Sequence, residues 1–383
     1  MADGSKIDWT DASWNFARGC TRVSPGCEHC YAEAMAHRFP WGKGLTVLRQ
    51  ARPGWSGEVQ LVPHKLTEPL RWRKPRRIFP CSGSDLFHPK IPFEYIAAAY
   101  AVMVTARQHT YQVLTKRPER MLEFYQWVDA QATQHGDHLD TLEDARYAFL
   151  RSCFVEKSDP EVELRTHEPP SWDHIWAGTS AEDQKRLDER MVFLRQIPAK
   201  VRWLSVEPML GPVDLTEYIH PSHMTRCLVH HNRTEHPCGS GPDPLSADCD
   251  VCGIEWHDDR PDVQWIVVGG ESGRGARPCA YEWIERVAQQ CCEAKVPVFV
   301  KQLGALIVSE HRAAETVEEA NACRKAAGHS LRDDRWLWFA GLRDAKGSDP
   351  SEWPDDRLKI RLYPGDRVPP WPRSSPAEDG IPF

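Results

Sequence analysis

The sequence predicts an α/β fold in which a parallel sheet curls into a partial barrel. Short apolar runs rich in β-branched and aromatic residues stand at 77–80, 111–114, 175–177, 201–204, 265–268 and 298–300. Runs of this length and composition read as buried parallel strands. Helical patterns lie between most of them. Residues 91–107 are apolar along one face, 181–197 set Leu187, Met191, Phe193 and Leu194 among charges, and 281–295 repeat the arrangement. Strand–helix alternation implies crossover connections and a parallel sheet, open or closed. The residues after each strand favour the barrel. Ser82, Ser84 and Asp85 come after the first run, Lys116 and Arg117 after the second, and Thr179 and Ser180 after the third. Ser205 and Glu207 come after the fourth, Glu271 and Ser272 after the fifth, and Lys301 and Gln302 after the sixth. (β/α) barrels assemble their active sites from polar groups at those strand ends.

Composition sets the outer bounds. Of 383 residues, 41% are hydrophobic and 27% charged, which describes a globular chain able to bury a large core without disulfides. No run approaches the ~20 apolar residues of a membrane-spanning helix, so no membrane role is expected. The start, MADGSKIDWTDASWN, lacks the charged and apolar parts of a secretory signal, and a cytoplasmic location is expected. In that reducing compartment the 13 cysteines read as metal ligands or buried thiols rather than disulfides. The net charge of −7 requires any nucleic-acid contact to use a local basic patch.

Two segments interrupt the strand–helix rhythm. Residues 129–170 are mostly polar and read as a helical excursion, and 219–262 hold four cysteines and several histidines. The expected organisation is a barrel part at 1–218, an inserted Cys/His-rich module at 219–262 and a second barrel part at 263–304. A C-terminal extension at 305–363 and a proline-rich flexible tail at 364–383 complete it.

The most informative local motif is Cys20, Cys27 and Cys30, a C-x6-C-x2-C loop around a Ser-Pro-Gly turn ahead of a helical pattern. Three thiolates on one loop suit three irons of a 4Fe–4S cluster, leaving the fourth iron open. The same cysteines with His29 or His37 would make a zinc site. Spacing does not separate the two. Position favours the cluster, because a loop preceding the first helix lies on the polar rim, where a purely structural zinc has no task.

This loop and its surroundings resemble the radical S-adenosylmethionine superfamily, and within it an atypical phage-associated three-cysteine-motif branch. The resemblance rests on W-T-x-x-x-W-N from Trp9 and on the cysteine loop running into Tyr31, Ala32 and Glu33. It continues in L-T-K-R-P-E-R-M from Leu114, T-S-A-E-D-Q from Thr179, L-S-V-E-P from Leu204, G-G-E-S-G from Gly269 and V-K-Q from Val300. The first gap of six residues is wider than the superfamily's usual three and enlarges the loop.

The resemblance implies a partial (β/α)6 barrel of radical SAM type, with Cys20, Cys27 and Cys30 holding the cluster and S-adenosylmethionine chelating its open iron. A flavodoxin- or ferredoxin-type partner would supply the electron, and cleavage would yield a 5′-deoxyadenosyl radical. By the same resemblance Ser82, Ser84 and Asp85 match the superfamily's contact to the methionyl amine, His29 stands near the adenine, and Ser180 and Lys301 complete the cofactor contacts. Lys116, Glu207 and Glu271 are the catalytic candidates, facing a carboxylate, ribose or substrate. Each rim residue also has a plainer reading as part of an interstrand salt bridge.

Two further features stay open. Cys249 and Cys252 form a C-x2-C preceded by Cys227, His231 and Cys238, which reads as a zinc site, an auxiliary cluster or incidental cysteines. The stretch 65–77, KLTEPLRWRKPRR, interleaves basic residues with Trp72 and leads into a strand that ends at the rim, so nucleic acid is a candidate partner. For the branch, phage DNA hypermodification is the implied role. The concrete version is isomerisation of an amino acid on a thymidine from a nitrogen link to an α-carbon link, which evades host restriction. Repair or methylation of nucleic acid or peptide is an alternative, and a non-catalytic zinc-stabilised binding protein is the alternative of another class.

Overall fold

In the computed structural model all six predicted runs are strands of one parallel sheet. The structure describes residues 7–49, 52–135, 142–157, 170–220, 260–273, 275–309, 348–353 and 358–371, with Ser5 and Leu164. The strands are β1 (Ala12–Trp14), β2 (Arg77–Pro80), β3 (Thr110–Thr115), β4 (Ile175–Ser180), β5 (Arg202–Val206), β6 (Trp265–Gly269) and β7 (Val298–Gln302). They lie side by side in chain order. The resemblance implied six strands and the sheet has seven. The extra one is β1, too short to stand out as an apolar run, yet fixed by pairing with β2 (Ala12 opposite Ile78) and by a 2.7 Å bond from Trp14 Nε1 to the Lys65 carbonyl.

The helices fall between the strands as patterned. They are α1 (Tyr31–Arg38), α2 (Phe93–Thr105), α3 (Pro118–His135), α4 (Leu142–Lys157), α5 (Gln184–Leu194), α6 (Thr216–Ile219) and α7 (Tyr281–Glu293). The predicted excursion at 129–170 contains the end of α3 and the whole of α4, which packs on α2 and α3. No described helix is long and apolar enough to cross a membrane.

Strand parity explains why the sheet curls. Successive side chains point to opposite faces. Ile78, Val113, Ala177, Leu204, Ile266, Val268, Val298 and Val300 join the large core shared with the helices. Their neighbours Phe79, Trp203, Trp265, Val267 and Phe299 form a second buried cluster with Trp9 on the other face. An apolar inner face with no helix layer must bury itself, and a sheet wound in one direction does so by closing on its own concave side. Gly178 allows that closure. A Cβ there would stand 2.3 Å from the Trp203 indole nitrogen.

Residues near the C-terminus complete the floor. Val300 N donates to the Ile360 carbonyl and Leu362 N to that of Val298, at 2.8 and 2.9 Å, so the chain runs antiparallel along β7. Tyr363 then stacks on Trp265 with 5.6 Å between ring centroids, beneath the Arg77 guanidinium at 3.9 Å. The floor is therefore aromatic, and the polar residues that follow the strands stand at the opposite end.

Candidate functional site

At the C-terminal ends of the strands, the polar side chains are aimed at the cysteine loop. Asp85, after β2, is buried and accepts four bonds, from Thr115 Oγ1 (2.6 Å), Phe87 N (3.0 Å), Lys116 N (3.1 Å) and Arg117 Nη1 (2.8 Å). Held this way, Arg117 donates through Nη2 to the Thr21 carbonyl (2.9 Å) and hydroxyl (2.8 Å), while Nη1 stands 3.8 Å from Cys20 Sγ. Thr21 Oγ1 also meets His88 Nε2 at 3.0 Å. Because His88 Nδ1 accepts from Lys90 N (3.1 Å), Nε2 carries the proton and donates. Burial and then the Arg117 charge lower His88 to about 4, so the ring is neutral.

A second clamp comes from β4. Glu182 is fully buried, accepts from Gly26 N at 3.1 Å and from Arg190 Nη1 at 2.7 Å, and lies 3.8 Å from Lys116 Nζ. Burial acts to raise this carboxyl, but Lys116 and Arg190 outweigh it and hold it at about 2. A third clamp stands beyond β6. Glu271 receives Arg277 N (2.8 Å), Nε (3.1 Å) and Nη2 (2.6 Å), and Arg277 Nη1 donates to the Pro25 carbonyl at 3.0 Å. Burial acts against ionisation of Glu271, yet the bonds from Arg277 keep it below the ordinary carboxylate range. His29 Nδ1 donates to the same carboxylate at 2.9 Å, which orients the ring. The start of the loop is sewn to β2: Ser84 Oγ donates to the Gly19 carbonyl (2.6 Å), and Gly83 N and Ser82 Oγ donate to Asn15 Oδ1. Residues 20–30 are thus tied across the barrel mouth from four strand ends.

Cys20 and Cys30 pack against the same buried cluster of Ala32, Ala36, Leu45 and Trp55, and Cys27 stands three residues before Cys30 on the loop. Among the described residues, no three His, Cys, Asp or Glu converge as a ready set of metal ligands. The donor chemistry nonetheless fits a thiolate-held group: three soft sulfurs on one loop, with Arg22 and Arg117 beside them to offset negative charge. Burial pushes the Cys20 thiol up to about 12, so its proton leaves only when a cation replaces it.

Inside the mouth, parity continues upward from the floor. Trp203 and Ser205 lead to Glu207 on one strand, and Phe299 leads to Lys301 on another. Lys301 Nζ reaches Glu207 Oε1 at 2.5 Å although β6 lies between their strands, and Gln302 Nε2 donates to the same oxygen at 3.1 Å. The Glu207–Lys301 and Glu182–Lys116 pairs are interstrand salt bridges of the kind the plainer reading expects. Ser180 lies buried beside them, its carbonyl accepting from Arg190 Nη1 at 2.7 Å. Tyr31, at the head of α1, donates to the Ser82 carbonyl at 2.7 Å.

Of the rim candidates, the structure brings Ser82, Ser84, Asp85, Lys116, Ser180, Glu207, Glu271, Lys301 and His29 to one end. Most are engaged with the loop or with each other. Sequence reasoning missed Glu182 and Arg277 as site residues, although Glu182 stands in the T-S-A-E-D-Q string. Arg277 is six residues past Glu271, and only folding back reveals its target. The basic stretch 65–77 is placed differently from its expected position near the cavity. Thr110 N binds the Arg76 carbonyl and His109 meets that of Pro69, which puts Trp72 and its neighbours at the N-terminal ends of β2 and β3. The strand it leads into ends at the rim, but the stretch itself lies at the other end. Trp72 is also already occupied, with Arg76 over its ring at 5.0 Å and His109 against its edge. Cys227, His231, Cys238, Cys249 and Cys252 lie outside the described residues.

A family model described as a protein of unknown function (DUF5131) matches residues 4–339. No curated protein and no solved structure matches the chain.

Proposed function

The chain belongs to this DUF5131 family of unknown function, and from that premise we propose that it is a radical S-adenosylmethionine enzyme. One observation carries the reading. Polar residues from the ends of β2, β3, β4 and β6 direct their hydrogen bonds to the cysteine loop, tying it across the mouth of a parallel half-barrel. Cys20, Cys27 and Cys30 would hold a 4Fe–4S cluster, which, once reduced by a flavodoxin- or ferredoxin-type partner, would supply the one electron for cleaving S-adenosylmethionine to methionine and a hydrogen-abstracting 5′-deoxyadenosyl radical.

The chain's own residues do the rest. Arg117, Glu182 and Arg277 fix the loop backbone, so the sulfurs keep their places when the site fills. Asp85 acts through Arg117 and Thr115, its acceptor positions being taken. Glu207 presents one oxygen to Lys301 and Gln302, and among the described residues its second oxygen accepts no hydrogen bond. That oxygen is an acceptor for a hydroxyl or ammonium group in the mouth. The aromatic floor keeps water from entering below. The proposed substrate is an amino-acid-modified thymidine of phage DNA, isomerised from its nitrogen link to an α-carbon link. Repair or methylation of nucleic acid or peptide would use the same site.

A second reading has its own support. His29 is oriented by Glu271 and among the described residues its Nε2 has no hydrogen-bond partner, an arrangement that also suits a zinc bound by the three cysteines and this ring. Anaerobic purification separates the two. A brown protein with about four irons per chain, forming 5′-deoxyadenosine with dithionite and losing both colour and product in Cys27→Ala, is the expected result. Colourless protein containing only zinc would overturn the radical reading.

A further inference from the structure

The surface beside the cysteine loop, made by α1 and the hairpin after it, takes no part in the three clamps. Six of the nine exposed large apolar side chains among the described residues, Met35, Phe39 and Leu48 included, fall between Val23 and Leu48. Leu48 is 63% exposed. Past Glu28 and Glu33 this surface turns basic. Between residues 34 and 57 stand Arg38, Lys43, Arg49 and Arg52 and no Asp or Glu, in a chain of net charge −7. The hairpin strands Thr46–Arg49 and Arg52–Trp55 pair with Arg49 opposite Arg52, both exposed. Like charges facing across a hairpin cost stability unless an anion lies between them. Arg38 covers Phe39 at 5.6 Å and Arg18 covers Trp41 at 5.7 Å, so cations and aromatic rings alternate.

This surface adjoins the mouth. Ala32, Ala36, Leu45 and Trp55 form a buried cluster against which Cys20, Cys30 and Trp41 pack. Trp41 also lies beside Gly83 at the end of β2, its ring 3.6 Å from where a Cβ would stand. We propose that the hairpin and α1 bind a single nucleic-acid strand and lead it to the mouth. Its phosphates lie on Arg38, Lys43, Arg49 and Arg52, and its bases stack on Phe39 and Trp41 as Arg38 and Arg18 turn from those rings to the phosphates. Strand binding of this kind combines a basic track with aromatic platforms. The basic stretch 65–77 does not offer this, because it sits at the N-terminal ends of the strands, opposite the mouth. What the strand undergoes at the mouth rests on the proposed function, while the binding does not.

The test is fluorescence anisotropy of a labelled single-stranded oligonucleotide with the full chain over a salt series. Arg49→Glu with Arg52→Glu should weaken binding at least ~tenfold and flatten the log–log salt slope by about 1.4, the share of two phosphate contacts. Arg73→Glu with Lys74→Glu, in the other basic stretch, should bind like the unaltered chain. Circular dichroism and the thermal midpoint verify that both variants fold. Unchanged binding by the hairpin variant, or an equal loss in the second variant, overturns the proposal. So does a chain that binds no oligonucleotide but binds an acidic electron-transfer protein through Arg49 and Arg52. Formation of 5′-deoxyadenosine by the unaltered chain, measured without oligonucleotide, reports on the radical chemistry alone.

Discussion

The two ends of the half-barrel are built from the same strands and hold opposite chemistry. At the floor, inward positions carry Phe79, Trp203, Trp265 and Phe299, with Trp9 and Tyr363 filling the gaps. A few residues further along, inward positions carry Ser180, Glu207 and Lys301, while Asp85, Glu182 and Glu271 turn to the loop. The difference teaches where each end can tolerate change. The floor is held by contact area, which any large apolar ring partly supplies. The mouth is held by directed bonds between specific donors and acceptors, whose loss leaves a buried charge alone. On the proposed function, floor variants should therefore lower stability while folded molecules still carry the cluster, and mouth variants should lose the cluster out of proportion to stability.

The largest effect is expected at the floor. Trp265→Ala opens a cavity among Trp203, Trp176 and Tyr363, and urea unfolding should show a loss of ~3–5 kcal/mol. Iron per folded chain should stay unchanged, and a parallel loss of iron would erase the contrast between the ends. Glu182→Gln comes next, at about 2–3 kcal/mol, because Arg190 loses its buried counter-charge. It should also release iron faster under chelator. The held-down pKa sets the sign: the stabilisation is complete above pH 4.5 and fades as pH falls towards about 2. The unaltered chain and Glu182→Gln should therefore converge in unfolding midpoint below pH 4.5. Convergence at higher pH would mean the carboxylate is not what holds Gly26. The smallest effect belongs to His88, buried neutral between Thr21 and Lys90. Its stabilisation is complete above pH 6.5 and is lost as pH falls towards 4. His88→Gln should remove ~1–2 kcal/mol of the pH dependence across that window. An identical pH profile in the variant would show that His88 titrates as if exposed.

Much of this was legible before folding. The six apolar runs became strands with ends within three residues of those expected, because a buried parallel strand needs a continuous apolar stretch and leaves it in the sequence. The polar residues after them reached one end for the same reason, since parallel strands bring all their C-termini together. The C-x6-C-x2-C loop was legible as donor chemistry. β1 was not, because three residues carry no period, and its pairing depends on β2 lying alongside.

What the sequence determined by itself is which residues sit inside and at which end of the barrel, since parity and strand direction are properties of the chain. What only the tertiary structure decided is whom each charge meets. Glu182 reaches Gly26 across 156 positions and Arg277 reaches Pro25 across 252, and no local pattern encodes such partners. Hydrogen bonds act over about 3 Å, so they exist only once the sheet's curvature has brought the distant backbone within reach.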